Sequence, residues 1–250
     1  MIDHARIASA FAHARDYDGQ ARVQRDVAEA LADRIAALPL PPQPRVLEFG
    51  CGTGFLTQAL IARGIGGRWQ VTDLAPAMVE RCKTRVGETP ERRFATLDGE
   101  YGAPADGPFD LVCSSLALQW FDDGPAALAR MAGWLAPGGH CLVTTLGAGT
   151  FPEWRAAHAA EGLEPGTPAF PTIAAFAALP GVTVTTALHA ERHADARGFL
   201  HALKDIGAGT ARGSHRPLPP AALRSVMRRF EAAGAIATYE VVTCHLQRAT

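Results

Sequence analysis

The chain has 250 residues, 48% of them hydrophobic and 20% charged, a balance that suits one soluble α/β domain with a full core. Its formal net charge of −1 gives no global attraction to nucleic acid or to an anionic membrane, and no apolar run approaches the ~20 residues of a membrane span. The five cysteines (Cys51, Cys82, Cys113, Cys141, Cys244) form no C-x-x-C pair, and Met1-Ile2-Asp3-His4-Ala5-Arg6 lacks a signal-peptide core, so no disulfide framework or metal site and a reducing cytoplasm are expected.

Val23, Val27, Leu31, Ile35 and Leu38 recur at spacings of three and four and predict an amphipathic helix over 20–38. Pro39, Pro41, Pro42 and Pro44 stop it and enforce an extended approach to a first strand at 45–49. That strand carries Glu48 near its end and runs into Gly50-Cys51-Gly52-Thr53-Gly54, where missing Cβ atoms permit a tight turn and close approach of a ligand. A helix follows at about 55–63, then a strand at 68–72 closing on Asp73, then a helix at about 76–86 opened by Pro76. A short strand at 93–96, a strand at 109–114, a helix at about 124–135 stopping before Pro137-Gly138-Gly139, and a strand at 140–145 complete the alternation.

Strands alternating with helices of this length predict right-handed βαβ units and a parallel sheet. The strands are apolar runs, as a sheet covered on both faces requires. Beyond 146 the pattern changes. Helices are predicted at 152–161, 172–178, 195–206 and 220–233, and strands at 181–190 and 235–247 that extend the same sheet. Residues 207–219, rich in Gly, Ala, Arg and Pro, read as a mobile loop.

The acid followed by G-x-G-x-G resembles motif I of class I S-adenosylmethionine (SAM) methyltransferases. The dinucleotide fingerprint is G-x-G-x-x-G, and Phe55 stands where its spacing would differ, which disfavours a nicotinamide dehydrogenase. The resemblance implies a Rossmann-like α/β fold with a C-terminal helical insertion acting as a lid. It implies SAM contacts from Glu48, Gly50, Cys51, Gly52 and Gly54 after the first strand, and from Asp73, Leu74 and Met78 after the second. Asp73 would accept the ribose hydroxyls and Asp98, beside Gly99, the adenine amino group. Ser114 and Leu116, in the segment through Trp120, would floor the methyl-donor site. Each signal alone is also ordinary turn chemistry; their order along the chain is what carries weight. Cys51 reads as a small filler, and Trp120, Trp134 and Trp154 as core or pocket wall.

Several further stretches are similar to the malonyl-[acyl-carrier protein] O-methyltransferases of biotin synthesis. These are Ser115-Leu116-Ala117-Leu118-Gln119-Trp120 with Asp122-Asp123, Thr145-Leu146-Gly147, residues 199–208 (FLHALKDIGA) and 237–242 (ATYEVV), while Tyr17-Asp18 resembles the Y-D element of small-molecule SAM methyltransferases more broadly. Ser115 and Phe121 depart from that pattern, and 147–170 is only loosely similar. The resemblance implies one domain over 1–250, with an N-terminal helical lid at 1–44, a SAM-binding core at 45–146 and a substrate-side insertion with the final strands at 147–250. The implied acceptor is the free carboxylate of a malonyl thioester on acyl-carrier protein, already ionised at neutral pH because carboxylates titrate near ~4. No general base is then needed. Tyr17 and Lys204 are candidates to orient the acceptor. An acidic carrier needs a basic surface, and residues 192–229 hold eight basic residues against Asp195 and Asp205; Arg224, Arg228 and Arg229 are the candidate contacts, with Arg224 and Arg228 on one helix face. The cluster is equally consistent with a solvated helix face. Two other readings stay open: a SAM methyltransferase of another small carboxylic acid or metabolite, and a SAM-binding, non-catalytic partner module.

Overall fold

The structure is a computed structural model, and it describes residues 21–205 and 217–249. Helix α1 (Arg22–Ala36) precedes β1 (Arg45–Glu48), α2 (Phe55–Ala62), β2 (Arg68–Asp73), α3 (Pro76–Val86), β3 (Arg92–Thr96) and β4 (Phe109–Ser115). Then come α4 (Gly124–Met131), β5 (Leu135–Leu146), α5 (Pro152–Ala159), α6 (Ile173–Ala177), β6 (Val182–Arg192), α7 (Ala196–Asp205), α8 (Pro220–Ala232) and β7 (Ile236–Gln247). Seven strands form one sheet in the order β3-β2-β1-β4-β5-β7-β6. Strands β1 to β5 are parallel, and β7 runs antiparallel between β5 and β6. The doubly covered parallel sheet expected from the sequence is therefore present, and the two late strands join it.

Alternation along each strand divides its residues between two cores. Val46, Trp69, Val71 and Leu111 meet Leu31 and Ile35 of α1 and Leu56 and Leu60 of α2 on one face. Leu47, Val112, Cys141 and Val143 meet Leu128 and Met131 of α4 and Phe176 of α6 on the other. A third cluster caps the C-terminal end of β5, where Leu146, Phe151, Trp154, Phe199, Phe230 and Tyr239 gather with Val23 and Val27 of α1. Its rings meet edge to face: Trp154 lies 5.4 Å from Phe199 and 5.3 Å from Phe230, centroid to centroid. Helix α1 thus contributes Val23 and Val27 to one cluster and Leu31 and Ile35 to another.

Two boundaries differ from the sequence reading. Helix α4 ends at Met131, a 3₁₀ turn follows at Ala132–Trp134, and β5 begins at Leu135, five residues before the expected start. Pro137-Gly138-Gly139 is an irregularity within β5, not the turn before it. Phe109 pairs with Leu135 but Leu111 pairs with His140, and Gly138 absorbs the surplus at φ +75°. Reciprocal backbone hydrogen bonds between this segment and Arg248 hold it in the sheet. Residues 207–216 of the expected mobile loop lie outside the described residues, as do 1–20 of the expected lid. Among the described residues no helix is long and apolar enough to cross a membrane.

Candidate functional site

The loop after β1 is held by its own backbone and by two neighbours. Cys51 N–H donates to Thr72 O at 2.9 Å, and Gly54 N–H closes the turn on Cys51 O at 2.9 Å. Gly50 has φ +62°, and a Cβ there would stand 2.5 Å from the Ala117 methyl group. Gly54 has φ +93° and a Cβ there would meet the Cys82 sulfur at 2.8 Å. Both positions therefore need glycine for contacts inside the protein, the segment after β4 in the first case and α3 in the second. The sequence reading gave a tight turn and the close approach of a ligand as reasons for these glycines; packing within the protein is a further one.

Asp73 ends β2 with one carboxylate oxygen on Gly52 N–H at 2.9 Å and the other on Ala75 N–H at 2.8 Å. It is 9% exposed, and burial raises its pKa against the lowering pull of these amides. Each carboxylate oxygen takes about two hydrogen bonds, so Asp73 shapes the loop and retains acceptor capacity. Glu48 lies deeper, 1% exposed, and accepts the Thr57 hydroxyl at 2.7 Å. Burial, reinforced by the neighbouring Cys82, pushes its carboxyl well above the ordinary range, while the Thr57 bond pulls the other way. Thr57 also contacts the Cys82 sulfur at 3.4 Å.

Of these groups, Glu48 borders a cleft at the C-terminal ends of the strands. Glu48, Gly50, Cys51 and Gly52 line one side, Phe55 and Leu56 another, and Ser115 and the α1 residues Gln24 and Ala28 complete it. The Arg25 and Arg85 guanidinium groups lie over the Phe55 ring at 5.1 and 4.4 Å from its centroid. Ser114 is completely buried, and its hydroxyl finds no hydrogen-bond partner among the described residues. Leu116 adopts φ +55°, rare for a branched side chain, with its N–H held by Thr144 O at 3.0 Å and Thr144 Oγ1 at 3.1 Å.

Other predicted residues sit differently. Met78 is fully buried and Leu74 half-buried. Asp98 turns back on its own loop, one oxygen accepting Glu100 N–H at 2.8 Å and Tyr101 N–H at 3.0 Å. Gly99 is buried where a Cβ would meet the rings of Phe49 and Phe121 at 2.9 and 3.0 Å. Lys204 is exposed near the end of α7. Arg224, Arg228 and Arg229 are exposed on α8; Arg228 donates to Ser225 Oγ at 2.9 Å and Arg229 pairs with Glu161. Tyr17, Arg212 and Arg216 lie outside the described residues.

The sequence reading missed Glu100 and Gln24. Glu100 is 3% exposed and accepts the backbone N–H groups of Asp122 and Asp123 at 2.9 and 2.8 Å, tying the loop after β3 to the segment after β4. Nothing in Asp98-Gly99-Glu100 distinguishes the inward carboxylate from the outward one. Gln24 did leave a trace, as a polar residue inside the apolar stripe of α1.

Residues 46–139 match the family model of a methyltransferase domain. The solved YcgJ protein of Bacillus subtilis is similar in fold, with a TM-score of 0.62 at 14% identity over 89% of this chain and 98% of that one. The biotin biosynthesis bifunctional protein BioCD of Bordetella avium is 46% identical over 94% of this chain, which spans only 50% of that protein. The malonyl-[acyl-carrier protein] O-methyltransferase of Magnetococcus marinus is 38% identical over 96% of this chain and 91% of its own length. Likeness of that depth and extent reaches well past the glycine loop, through both late strands and the helices over them, and the chain belongs to the malonyl-[acyl-carrier protein] O-methyltransferase family.

Proposed function

We propose that this protein transfers the methyl group of SAM to the free carboxylate of malonyl-acyl-carrier protein, giving the methyl ester from which pimeloyl synthesis for biotin begins. The observation that carries this reading is the cleft bounded by Glu48 and Gly50–Gly52, whose loop Asp73 fixes through Gly52 N–H, in a chain similar to such methyltransferases along nearly its whole length. The donors and acceptors present suit SAM: acceptor capacity left on Asp73 for a ribose diol, an unsatisfied Ser114 hydroxyl, and loop backbone near Gly50. When bound, SAM supplies an electrophilic methyl group on a sulfonium.

Asp73 holds the sugar and, through Gly52, the loop itself. Leu116 and the aromatic cluster beyond it keep water from the reaction site, which favours meeting of opposite charges over their separate solvation. No side chain needs to take a proton, since the acceptor carboxylate is already ionised. What remains is orientation, which can contribute roughly 7–11 kcal/mol. Tyr17 and Lys204 are our candidates to orient the acceptor, residues 1–44 and the helices of 147–250 form the lid over the 45–146 core, and Arg224, Arg228 and Arg229 receive the acidic carrier. The five unpaired cysteines suit a reducing cytoplasm.

Mass spectrometry of malonyl-acyl-carrier protein incubated with SAM and this protein tests the reading. One added methyl on the acyl group is the expected result. An unmodified acyl chain, with methylation of a free acid or a coenzyme A thioester instead, would reassign the acceptor.

A further inference from the structure

Cys51 and Cys82 stand on either side of Gly54. The Gly54 N–H closes on Cys51 O at 2.9 Å, and a Cβ on Gly54 would meet the Cys82 sulfur at 2.8 Å and the Cys82 Cα at 3.3 Å. The two thiols are hydrogen-bonded to each other, with Thr57 Oγ1 3.4 Å from the Cys82 sulfur. That bond pushes the Cys51 thiol up and draws the Cys82 thiol down, so Cys82 ionises before Cys51. Cys51 lines the cleft, and Cys82 is fully buried behind it. The other three cysteines are built differently. Burial raises all of their thiols, the cleft lining contains none of them, and Cys141 and Cys244 sit two positions out of register on β5 and β7. Such diagonal neighbours lie ~7–8 Å apart, beyond the reach of a disulfide.

We infer that Cys51 and Cys82 are an oxidisable pair whose disulfide ties the loop after β1 to α3 and switches off cosubstrate binding. This rests on the cosubstrate reading above and adds a control to it. Hydrogen peroxide is the oxidant, and the cleft is its way in. Cys82 loses its proton, then takes the Cys51 proton as the Cys51 sulfur attacks one peroxide oxygen. The O–O bond breaks and leaves hydroxide, which the first proton neutralises. Cys82 then attacks the Cys51 sulfenic acid: the S–S bond forms, the S–O bond breaks, and the hydroxyl leaves with the Cys82 proton as water. Two thiols give up two electrons, and one peroxide becomes two waters. The bridge brings the sulfurs to ~2.0 Å and pulls Cys51 toward α3. Cys51 N–H on Thr72 O and Gly52 N–H on Asp73 hold the loop in its binding shape, so the bridge works against both. A bound cosubstrate covers Cys51 and slows the first step.

Non-reducing peptide mapping and calorimetry with S-adenosylhomocysteine, before and after hydrogen peroxide, test this on the full chain. In the parent, peroxide should link the Cys51 and Cys82 peptides and lower the affinity about tenfold, and dithiothreitol should restore it. Prior saturation with S-adenosylhomocysteine should slow the linkage. Cys82→Ser should keep the affinity it had before peroxide, each protein serving as its own reference. Thermal unfolding verifies that this variant folds; Cys82→Ala replaces it if it does not, and the parent's peptide map decides without either. Absence of the linked peptides in the parent, or an equal loss of affinity in Cys82→Ser, overturns the proposal. A reduced parent that binds no S-adenosylhomocysteine overturns the cosubstrate reading instead, a distinct result, while the peptide map still reports on the pair.

Discussion

Glu48 shows what a single residue beneath the glycine loop does to the molecule. Its folded pKa lies well above the ordinary value of 4.5 because burial disfavours the charged form. The stability this raised value represents is fully present below pH 4.5 and is lost as pH rises through the folded pKa. Glu48→Gln keeps an acceptor for Thr57 and cannot ionise. Its melting temperature relative to the parent should therefore climb as pH rises above 4.5, until Glu48 ionises in the folded parent. Asp73 titrates with the same sign but is present in both proteins, so the difference reports Glu48. A melting-temperature difference that stays flat with pH would show that Glu48 is not an ionising buried acid.

At the scale of elements, the loop after β1 and the segment after β4 are two pieces of one surface, joined where Gly50 meets Ala117. Gly50→Ala forces φ +62° on an alanine and drives its Cβ toward the Ala117 methyl group. The left-handed backbone costs about 1–2 kcal/mol and the overpacking about 1–3 more. Ala117→Gly in the same chain should recover the overpacking share and leave the backbone share, a coupling that urea denaturation of the four proteins would read. Simple additivity of the two changes would refute the contact. How far the sequence shows these elements depends on what makes them. Strands β1, β2 and β4 are legible because a doubly covered strand is an apolar run, and α1 because its valines, leucine and isoleucine keep helical spacing. The start of β5 is not legible: Pro137-Gly138-Gly139 is turn chemistry by composition, and only pairing with Phe109 and Arg248 makes it part of a strand. At the site, the order of Gly50, Gly52, Gly54 and Asp73 is visible in one dimension. The inward aim of Glu100 and the position of Gln24 over the cleft are set by packing between distant segments, which no local pattern encodes.

For the whole molecule, charge is unevenly spread. A net charge of −1 coexists with exposed Arg224, Arg228 and Arg229 on α8, the helix that gives Val226 and Phe230 to the third hydrophobic cluster. Arg229 is partly neutralised by Glu161, which leaves Arg224 and Arg228 as the more open charges. Reversing all three to Glu should raise KM for the carrier-bound substrate by about tenfold at low salt and leave SAM affinity unchanged. The effect should shrink as added salt shortens the screening length to ~10 Å at 0.1 M. Carrier kinetics identical to the parent at low salt would remove α8 from the docking surface.

The placement of α1 has a consequence for where this protein can be cut. The segment that reads as a methyltransferase domain, 46–139, contains neither α1 nor β7 and stops inside β5. Excised, it would bare Trp69, Leu60 and Leu111 where Leu31 and Ile35 had covered them, and leave one margin of the sheet with no neighbour. The unit recognised by its glycines and the unit able to stand in water are different objects. The boundary of the second is drawn by a helix that begins more than twenty residues upstream of the first.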